Sequence, residues 1–413
     1  MNIWIINPYG SLPDESWRTY RSTMIANALV ASGHRVTQFI SNFEHRSKTF
    51  RNDCYESRSY GPNYSISIIP STSYKSHISL SRVKYERSYA KNLIKYVADY
   101  EKPDIVILAE PALCYYNIIL RWIKKDLKAK IIIDLIDIWP ELFHLLFPKS
   151  LNFLANLIFF PLYMWRRRLY RSVDGLVAVS KNYQDIALKI KPFKPSHTDV
   201  VYWSIPENEI NKEELISNKD VINLIESKGL EEVWCIYAGT LGENYDVKSI
   251  IDAGEELKKI YSHNRFKLII AGDGPLADFC IENSDQKSIV FLGRLSSTDL
   301  AGLFRHCDIA LSTYRQRSTV SMPIKAFDYF AFGLPLVNSL KRDLGYFINK
   351  MEIGINYEAE SVSALTGAIK ILVDDKDKRL QMKENALIAS TIFSENLQYS
   401  KFIYVIENVY YGK

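Results

Sequence analysis

Short runs of apolar and β-branched residues alternate with longer helical stretches along the whole chain. IWIINP, HRVTQFI, PDIVILAE, KIIIDLID and VDGLVAVS are runs of the first kind, and segments such as WRTYRSTMIANALVAS before Gly33 are long enough to be crossover helices. Apolar runs of this length and spacing predict strands of a parallel sheet covered by helices on both faces. The pattern restarts after about residue 205 with VWCIYAG, FKLIIAG, SIVFLG, DIALSTY and LPLVN, between which stand DVKSIIDAGEELKKIYS and STDLAGLFRHC. The polar stretch IPENEINKEELISNKD reads as a linker. The prediction is α/β: two doubly wound, Rossmann-like domains, 1–205 and 206–395, followed by a last segment, 396–413.

Composition agrees with two domains. At 413 residues and 47% hydrophobic, the chain exceeds the usual size of a single core. Its five cysteines, Cys54, Cys114, Cys235, Cys280 and Cys307, are odd in number and scattered, which points to free thiols in a reducing compartment and away from a zinc site. The start, MNIWIINPYG, reads as a strand running into a loop rather than as a secretory leader, so a cytoplasmic location is expected. The net charge of +5 conceals an asymmetry: residues 1–200 hold 28 Lys and Arg against 17 Asp and Glu, whereas the remainder holds 24 against 30. A basic half suits an anionic membrane, a phosphorylated substrate or nucleic acid. No zinc-finger spacing, aromatic RNP-like set or long basic helix accompanies it, so nucleic acid is not expected.

One apolar stretch stands apart. LNFLANLIFFPLYMWRRRLYR, residues 151–171, is interrupted by Asn152, Asn156 and Pro161, and its uncharged part falls short of the ~18 residues of a spanning helix. Two readings stay open. It lies in a membrane interface with Arg166, Arg167, Arg168 and Arg171 on acidic headgroups, or it packs on the first sheet with its arginines in solvent.

The chemistry concentrates in STVSMPIKAFDYFAFGLPLVN, residues 318–338. A helix beginning at Pro323 loses nothing through the missing amide hydrogen, and the free N–H groups of its first turn can face an anion. Lys325 then sits in that turn, one turn before Asp328; a cation there suits a diphosphate and the carboxylate suits the two hydroxyls of a ribose. The plainer alternative is a surface helix with an ordinary charged pair. Upstream, YAGTLGENYDVKSI places Gly239 and Gly242 between strand and helix, LIIAGDGPLADF places Gly272, Asp273 and Gly274 at a strand end, and FLGRLSS adds Gly293 and Arg294. In a parallel sheet such loops gather at the carboxyl edge, so 239–242, 272–275, 293–296 and 315–323 should converge on one ligand. Asp273 either holds its turn or reaches that ligand.

YAGTLG, IIAGDGP, VFLGRLS, DIALS and SMPIKAFDYFAFGLPLV, in that order and spacing, resemble the C-terminal domain of the retaining GT-B glycosyltransferases of family four, in particular bacterial enzymes of O-antigen, capsule and exopolysaccharide assembly. INPYGSLPDESWRTYRSTMIANALVASGHRVTQFISNFEHR, IIIDLIDIWPE and VAVS resemble the N-terminal half of those enzymes. The resemblance implies two domains facing each other across a cleft, with acceptor bound by the first and donor by the second. It also implies a final helix, within SENLQYSKFIYVIENVYYG, that crosses back to the first domain. By position it implies a donor site of Gly239, Thr240, Gly242, Gly272, Asp273, Gly274, Arg294, Leu295, Arg317, Ser321, Pro323, Lys325 and Asp328. Asp137 would stand where acceptor and donor sugar meet, with Gly10, Arg18, Arg21 and His45 on the acceptor side, and His45 is equally read as a merely exposed loop residue. The departures are specific: Val320 occupies the place of the family's first glutamate, Thr240 and Tyr245 replace an arginine and a lysine, and Ile136 replaces a basic residue before Asp137.

The resulting expectation is metal-independent, retaining transfer from a nucleotide-sugar, UDP-sugar favoured, to a lipid-linked or oligosaccharide acceptor in surface polysaccharide synthesis at the inner face of the membrane. No cofactor is expected, since the nucleotide-sugar is a substrate. Lys325 would stabilise the departing diphosphate and Asp137 would orient or deprotonate the acceptor hydroxyl. The rival readings are a catalytically silent partner of another transferase and, further off, a sugar-nucleotide epimerase.

Overall fold

The computed structural model describes residues 1–15, 19–76, 79–110, 114–148, 151–205 and 216–412. The chain divides into two compact units, Met1–Tyr202 together with Asn396–Lys413, and Trp203–Glu395.

The first unit holds an eight-stranded sheet of β1 (Asn2–Ile6), β2 (Arg35–Ser41), β3 (Glu56–Gly61), β4 (Tyr64–Ile69), β5 (Ile105–Glu110), β6 (Lys130–Leu135), β7 (Gly175–Ala178) and β8 (Thr198–Val200). Their order across the sheet is β8-β7-β6-β5-β1-β2-β4-β3. All neighbours run parallel except β3 and β4, an antiparallel hairpin closed at Gly61–Tyr64. That hairpin corrects the all-parallel expectation: ESRSYG alternates exposed and half-buried positions, as an edge strand with one solvated face does. The order reverses between β1 and β5, so the loops after their carboxyl ends open a crevice. The helix expected from WRTYRSTMIANALVAS starts at Arg21 and runs to Ala31, with Tyr20 extended at its cap. Trp4 anchors the core on one sheet face, its ring edge-on to Phe39 at 5.0 Å and tilted against Trp122 at 5.9 Å. The helix Glu395–Tyr411 completes this unit: Gln398 accepts from the Tyr202 amide at 2.9 Å. Tyr399 and Phe402 lie 5.9 and 6.0 Å from the Arg21 guanidinium.

The second unit is wholly parallel. Its strands are β9 (Val233–Ala238), β10 (Phe266–Ala271), β11 (Ile289–Phe291), β12 (Ile309–Ser312), β13 (Leu336–Asn338) and β14 (Gly354–Asn356), in the order β11-β10-β9-β12-β13-β14. β9 to β12 are the expected runs, mostly apolar because the central strands are buried on both faces, with Lys267 and Ser312 as polar positions. The reversal falls between β9 and β12. Part of the expected linker is ordered as the helix Lys219–Glu226, capped by Asn218; residues 206–215 of it lie outside the described residues.

Candidate functional site

At the carboxyl edge of the second sheet, backbone hydrogen bonds stitch the glycine loops together. The Leu241 amide donates to the Asp273 carbonyl (2.9 Å), the Leu276 amide to the Leu241 carbonyl (2.9 Å) and the Gly272 amide to the Gly293 carbonyl (2.7 Å). The contacts are so close that a Cβ on Gly272 would stand 1.9 Å from the Gly239 carbonyl oxygen, and one on Gly274 2.6 Å from that of Leu241. Glycine is therefore required at both by crowding as well as by their positive φ. Asp273 is exposed and its Oδ1 accepts from the Gly274 amide at 2.7 Å, so it holds the turn.

Pro323 is the extended cap of the helix Ile324–Ala331 rather than its first residue. The helix is held to the end of β9 by Tyr329, whose Oη accepts from the Ala238 amide at 3.0 Å. This places Lys325 in an aromatic enclosure that the sequence did not reveal. Its Nζ lies 4.1, 4.8 and 5.1 Å from the ring centroids of Tyr237, Tyr245 and Tyr314. The side chain as a whole is half-buried, yet the Nζ is shut off from solvent and meets no hydrogen-bond acceptor. It adjoins the first glycine loop, 3.5 Å from where a Cβ on Gly239 would be. Burial pushes the Lys325 ammonium down to about 7, while burial raises all three phenols, so none of them supplies a compensating charge near neutrality. Tyr245, standing where the family places a lysine, forms one wall of this enclosure and bridges to Tyr314. Its role is legible only in three dimensions, because Tyr237, Tyr245 and Tyr314 come from separate segments.

The remaining donor-side residues divide. Asp328 follows one turn after Lys325 and is half-buried, and Leu295 is half-buried. Arg294 and Arg317 are exposed, on the loops after β11 and β12. Gly242 closes the first loop, its carbonyl accepting from the Tyr245 amide at 3.0 Å, and the Thr240 carbonyl accepts from Tyr237 Oη at 2.8 Å. Ser321 is fully buried, and its hydroxyl donates to Asp343 at 3.0 Å, at the start of the helix Asp343–Met351. That side chain is engaged in local structure, and from sequence a hydroxyl in a loop reads alike in both roles.

In the first unit the acceptor-side expectations are partly overturned. Arg21 is fully buried, with its Nε and Nη2 2.9–3.0 Å from the Asp134 carboxylate and its Nη1 donating to the Tyr202 carbonyl at 3.3 Å. It is a core ion pair enclosed by Tyr399 and Phe402, so Arg21 is structural here. Gly10 is buried in its loop, where a Cβ would stand 2.7 Å from the Ile40 side chain. Arg18 lies outside the described residues. His45 is partly exposed, edge-on to the Tyr9 ring at 5.3 Å and 3.6 Å from Glu44.

Asp137 follows β6 and is exposed. Desolvation by the surrounding protein raises its pKa to about 6 and Arg82 opposes the rise. The helix after it is Glu141–Leu146, capped by Pro140, so Asp137 caps nothing. Beside it Arg82 is stacked 4.1 Å over Trp139 and 4.9 Å from the Tyr9 ring, and its Nε donates to Tyr9 Oη at 3.0 Å. Tyr9 Oη in turn donates to the buried Glu86 at 2.7 Å.

The apolar stretch forms the helix Asn152–Ser172 and uses both faces. Ala155, Phe159, Leu162, Leu169 and Tyr170 pack inward, whereas Phe153, Leu157, Ile158, Phe160 and Met164 are exposed, with Leu157 at 71%. Arg167, Arg168 and Arg171 are exposed. Arg166 is not: it is buried, donating to the Trp139 carbonyl at 2.8 Å and forking onto both oxygens of Glu141. Of the four expected headgroup cations, Arg166 instead fixes the segment that carries Asp137. Among the described residues no helix is long and apolar enough to cross a membrane.

Residues 220–388 match the family described as glycosyl transferases group 1. Glycogen synthase of Mycobacterium tuberculosis (strain CDC 1551 / Oshkosh) is 28% identical over 146 residues, 34% of this chain and 34% of that protein. The chain thus spans about a third of the length of that relative. Chitobiosyldiphosphodolichol beta-mannosyltransferase of Debaryomyces hansenii is 19% identical over 296 residues, 68% of this chain and 62% of that protein. Among solved structures, Anabaena HepE in complex with UDP and glucose superposes with a TM-score of 0.63 at 14% identity, over 99% of this chain and 100% of that one. The fold is that of the GT-B glycosyltransferases, and the match to the group 1 glycosyl transferases lies within the second unit.

Proposed function

We propose that this chain transfers a sugar, with retention of anomeric configuration and without a metal, from a nucleotide-sugar to a lipid-linked or oligosaccharide acceptor in bacterial surface polysaccharide assembly. The observation that carries this reading is the enclosed, unpartnered Lys325 Nζ beside the stitched glycine loops. A desolvated ammonium without a carboxylate is costly unless an anion arrives to meet it. The amides at the start of Ile324–Ala331 add their dipole to the same place. As the sugar departs, negative charge grows on the diphosphate, and preorganised positive charge there lowers the barrier. Asp328, one turn on, holds the ribose hydroxyls. Asp137, raised toward neutrality, orients the acceptor hydroxyl, whose proton goes either to this carboxylate or to the leaving phosphate.

The UDP preference draws on the HepE likeness, whose ligand is UDP. A lipid-linked acceptor draws on the mannosyltransferase relative, named for a diphosphodolichol substrate. The exposed apolar face of Asn152–Ser172, flanked by Arg167, Arg168 and Arg171, supports docking on the anionic inner surface of the cell membrane, from the cytoplasmic side. Val320 at the place of the first glutamate favours a second reading, a silent partner of another transferase.

Calorimetric titration with UDP, GDP, TDP and ADP decides the first step. One nucleotide should bind the wild type and lose affinity in Asp328→Ala and Lys325→Ala; its sugar esters are then tested for turnover. Binding without turnover selects the silent partner, and no binding across the panel removes the donor site.

A further inference from the structure

Among the described residues two lysines, Lys48 and Lys325, have an Nζ that is closed off from solvent and meets no hydrogen-bond acceptor, one in each unit. Lys325 belongs to the donor reading; Lys48 has no place in it. Lys48 sits in the turn of the small hairpin Phe43–Glu44/Thr49–Phe50, with φ of 59°. A lysine is seldom held in the left-handed region, and here the turn carries its side chain over the Tyr74 ring, Nζ to centroid 4.2 Å. On the same ring, at 5.6 Å, stands the Arg82 guanidinium.

The neighbouring carboxylates are already engaged. Glu44 Oε2 accepts from the Arg46 amide (2.8 Å), the Ser47 amide (2.6 Å) and the Ser47 hydroxyl (2.9 Å), while its other oxygen faces His45. Glu86 accepts from Tyr9 Oη (2.7 Å) and the Cys114 amide (2.8 Å) and lies 3.5 Å from Arg82 Nε. Burial and the Arg82 charge together press the Lys48 ammonium toward neutrality, with Glu44 opposing them. Two cations gathered at one aromatic ring, one of them desolvated with no carboxylate bonded to it, make a place suited to an anion.

We infer that Lys48 and Arg82 form an anion subsite in the first unit that takes a phosphate or diphosphate group of the acceptor. This deepens the acceptor role given to that unit and rests on it. The planar guanidinium and the point charge of the ammonium suit phosphate oxygens. Arg82 is also the charge that acts on Asp137, so an acceptor held here has its anionic group beside the residue meant to orient its hydroxyl.

The test is calorimetric titration of the full chain with inorganic pyrophosphate while UDP occupies the second unit. Wild type should bind pyrophosphate, Lys48→Ala should bind it roughly 10- to 100-fold more weakly, and Lys48→Arg should recover most of the loss. UDP affinity and the thermal transition should be alike in all three. No pyrophosphate binding beside UDP, or binding indifferent to Lys48→Ala, overturns the subsite. If UDP itself fails to bind, the donor reading falls instead, and the same titration on Lys325→Ala, with its own ammonium gone, still decides the subsite by its response to an added Lys48→Ala.

Discussion

Replacing Lys325 by methionine keeps its bulk against Tyr237, Tyr245 and Tyr314 and removes its charge, which makes the pH dependence of nucleotide binding a direct test of the enclosure. With the empty-site pKa at about 7, roughly half of the molecules carry the ammonium at pH 7 and about one in a hundred at pH 9. A bound diphosphate favours the charged form and keeps it protonated across that range. The apparent Kd for UDP should therefore rise about 50-fold from pH 7 to pH 9, or about 2.3 kcal/mol. The three phenols facing Nζ are all raised by burial, and the phosphates of UDP are largely ionised throughout. Calorimetry in buffers of different ionisation enthalpy should show uptake of about 0.9 proton on binding at pH 8. Stability moves the other way: the folded empty chain binds fewer protons than the unfolded one between about 7 and the ordinary lysine value of 10.5, so this group's contribution rises with pH. A Kd that stays flat between pH 7 and 9, or a Lys325→Met chain with the wild-type slope, would refute the reasoning.

Three further outcomes are expected. Asp137→Asn should leave UDP affinity intact and lower turnover by roughly 10²- to 10⁴-fold, and wild-type turnover should fall below about pH 6 as that carboxylate is protonated; a variant within twofold of wild type excludes the role. Arg21→Ala should cost about 3–5 kcal/mol in urea unfolding, because it strands the buried Asp134; a loss below 1 kcal/mol contradicts the ion-pair description. Leu157→Ser with Phe160→Ser should weaken cosedimentation with phosphatidylglycerol vesicles by tenfold or more, since each exposed side chain inserted is worth about 1.5–3 kcal/mol. Equal sedimentation of the two chains would argue that the helix does not meet lipid.

The strands were legible wherever burial on both faces leaves a mostly apolar run, as in KIIIDLID and FKLIIAG, despite Asp134 and Lys267 within them. The β3–β4 hairpin was not, because serines and tyrosines alternate there at an edge and only the turn YGPNY marks it. For the site, glycines could be placed because a strand end and a tight turn leave local traces. Pairings across the sheet leave none. Arg21 read as a cleft residue because its partner Asp134 is 113 positions away. Arg166 read as a headgroup cation because three arginines stand in a row and only the packing shows which turns inward. Tyr237, Tyr245 and Tyr314 look like ordinary core aromatics until Lys325 is found among their rings.

Gln398, Tyr399 and Phe402 complete the surroundings of Arg21 and Tyr202, yet they are translated after every residue of the second unit. On the ribosome, the second unit can therefore reach its final packing while the earlier-made unit still lacks one wall, with Arg21 waiting for its lid. Domains generally fold in the order in which they are synthesised; here the N-terminal unit cannot complete its packing until the last helix has been made.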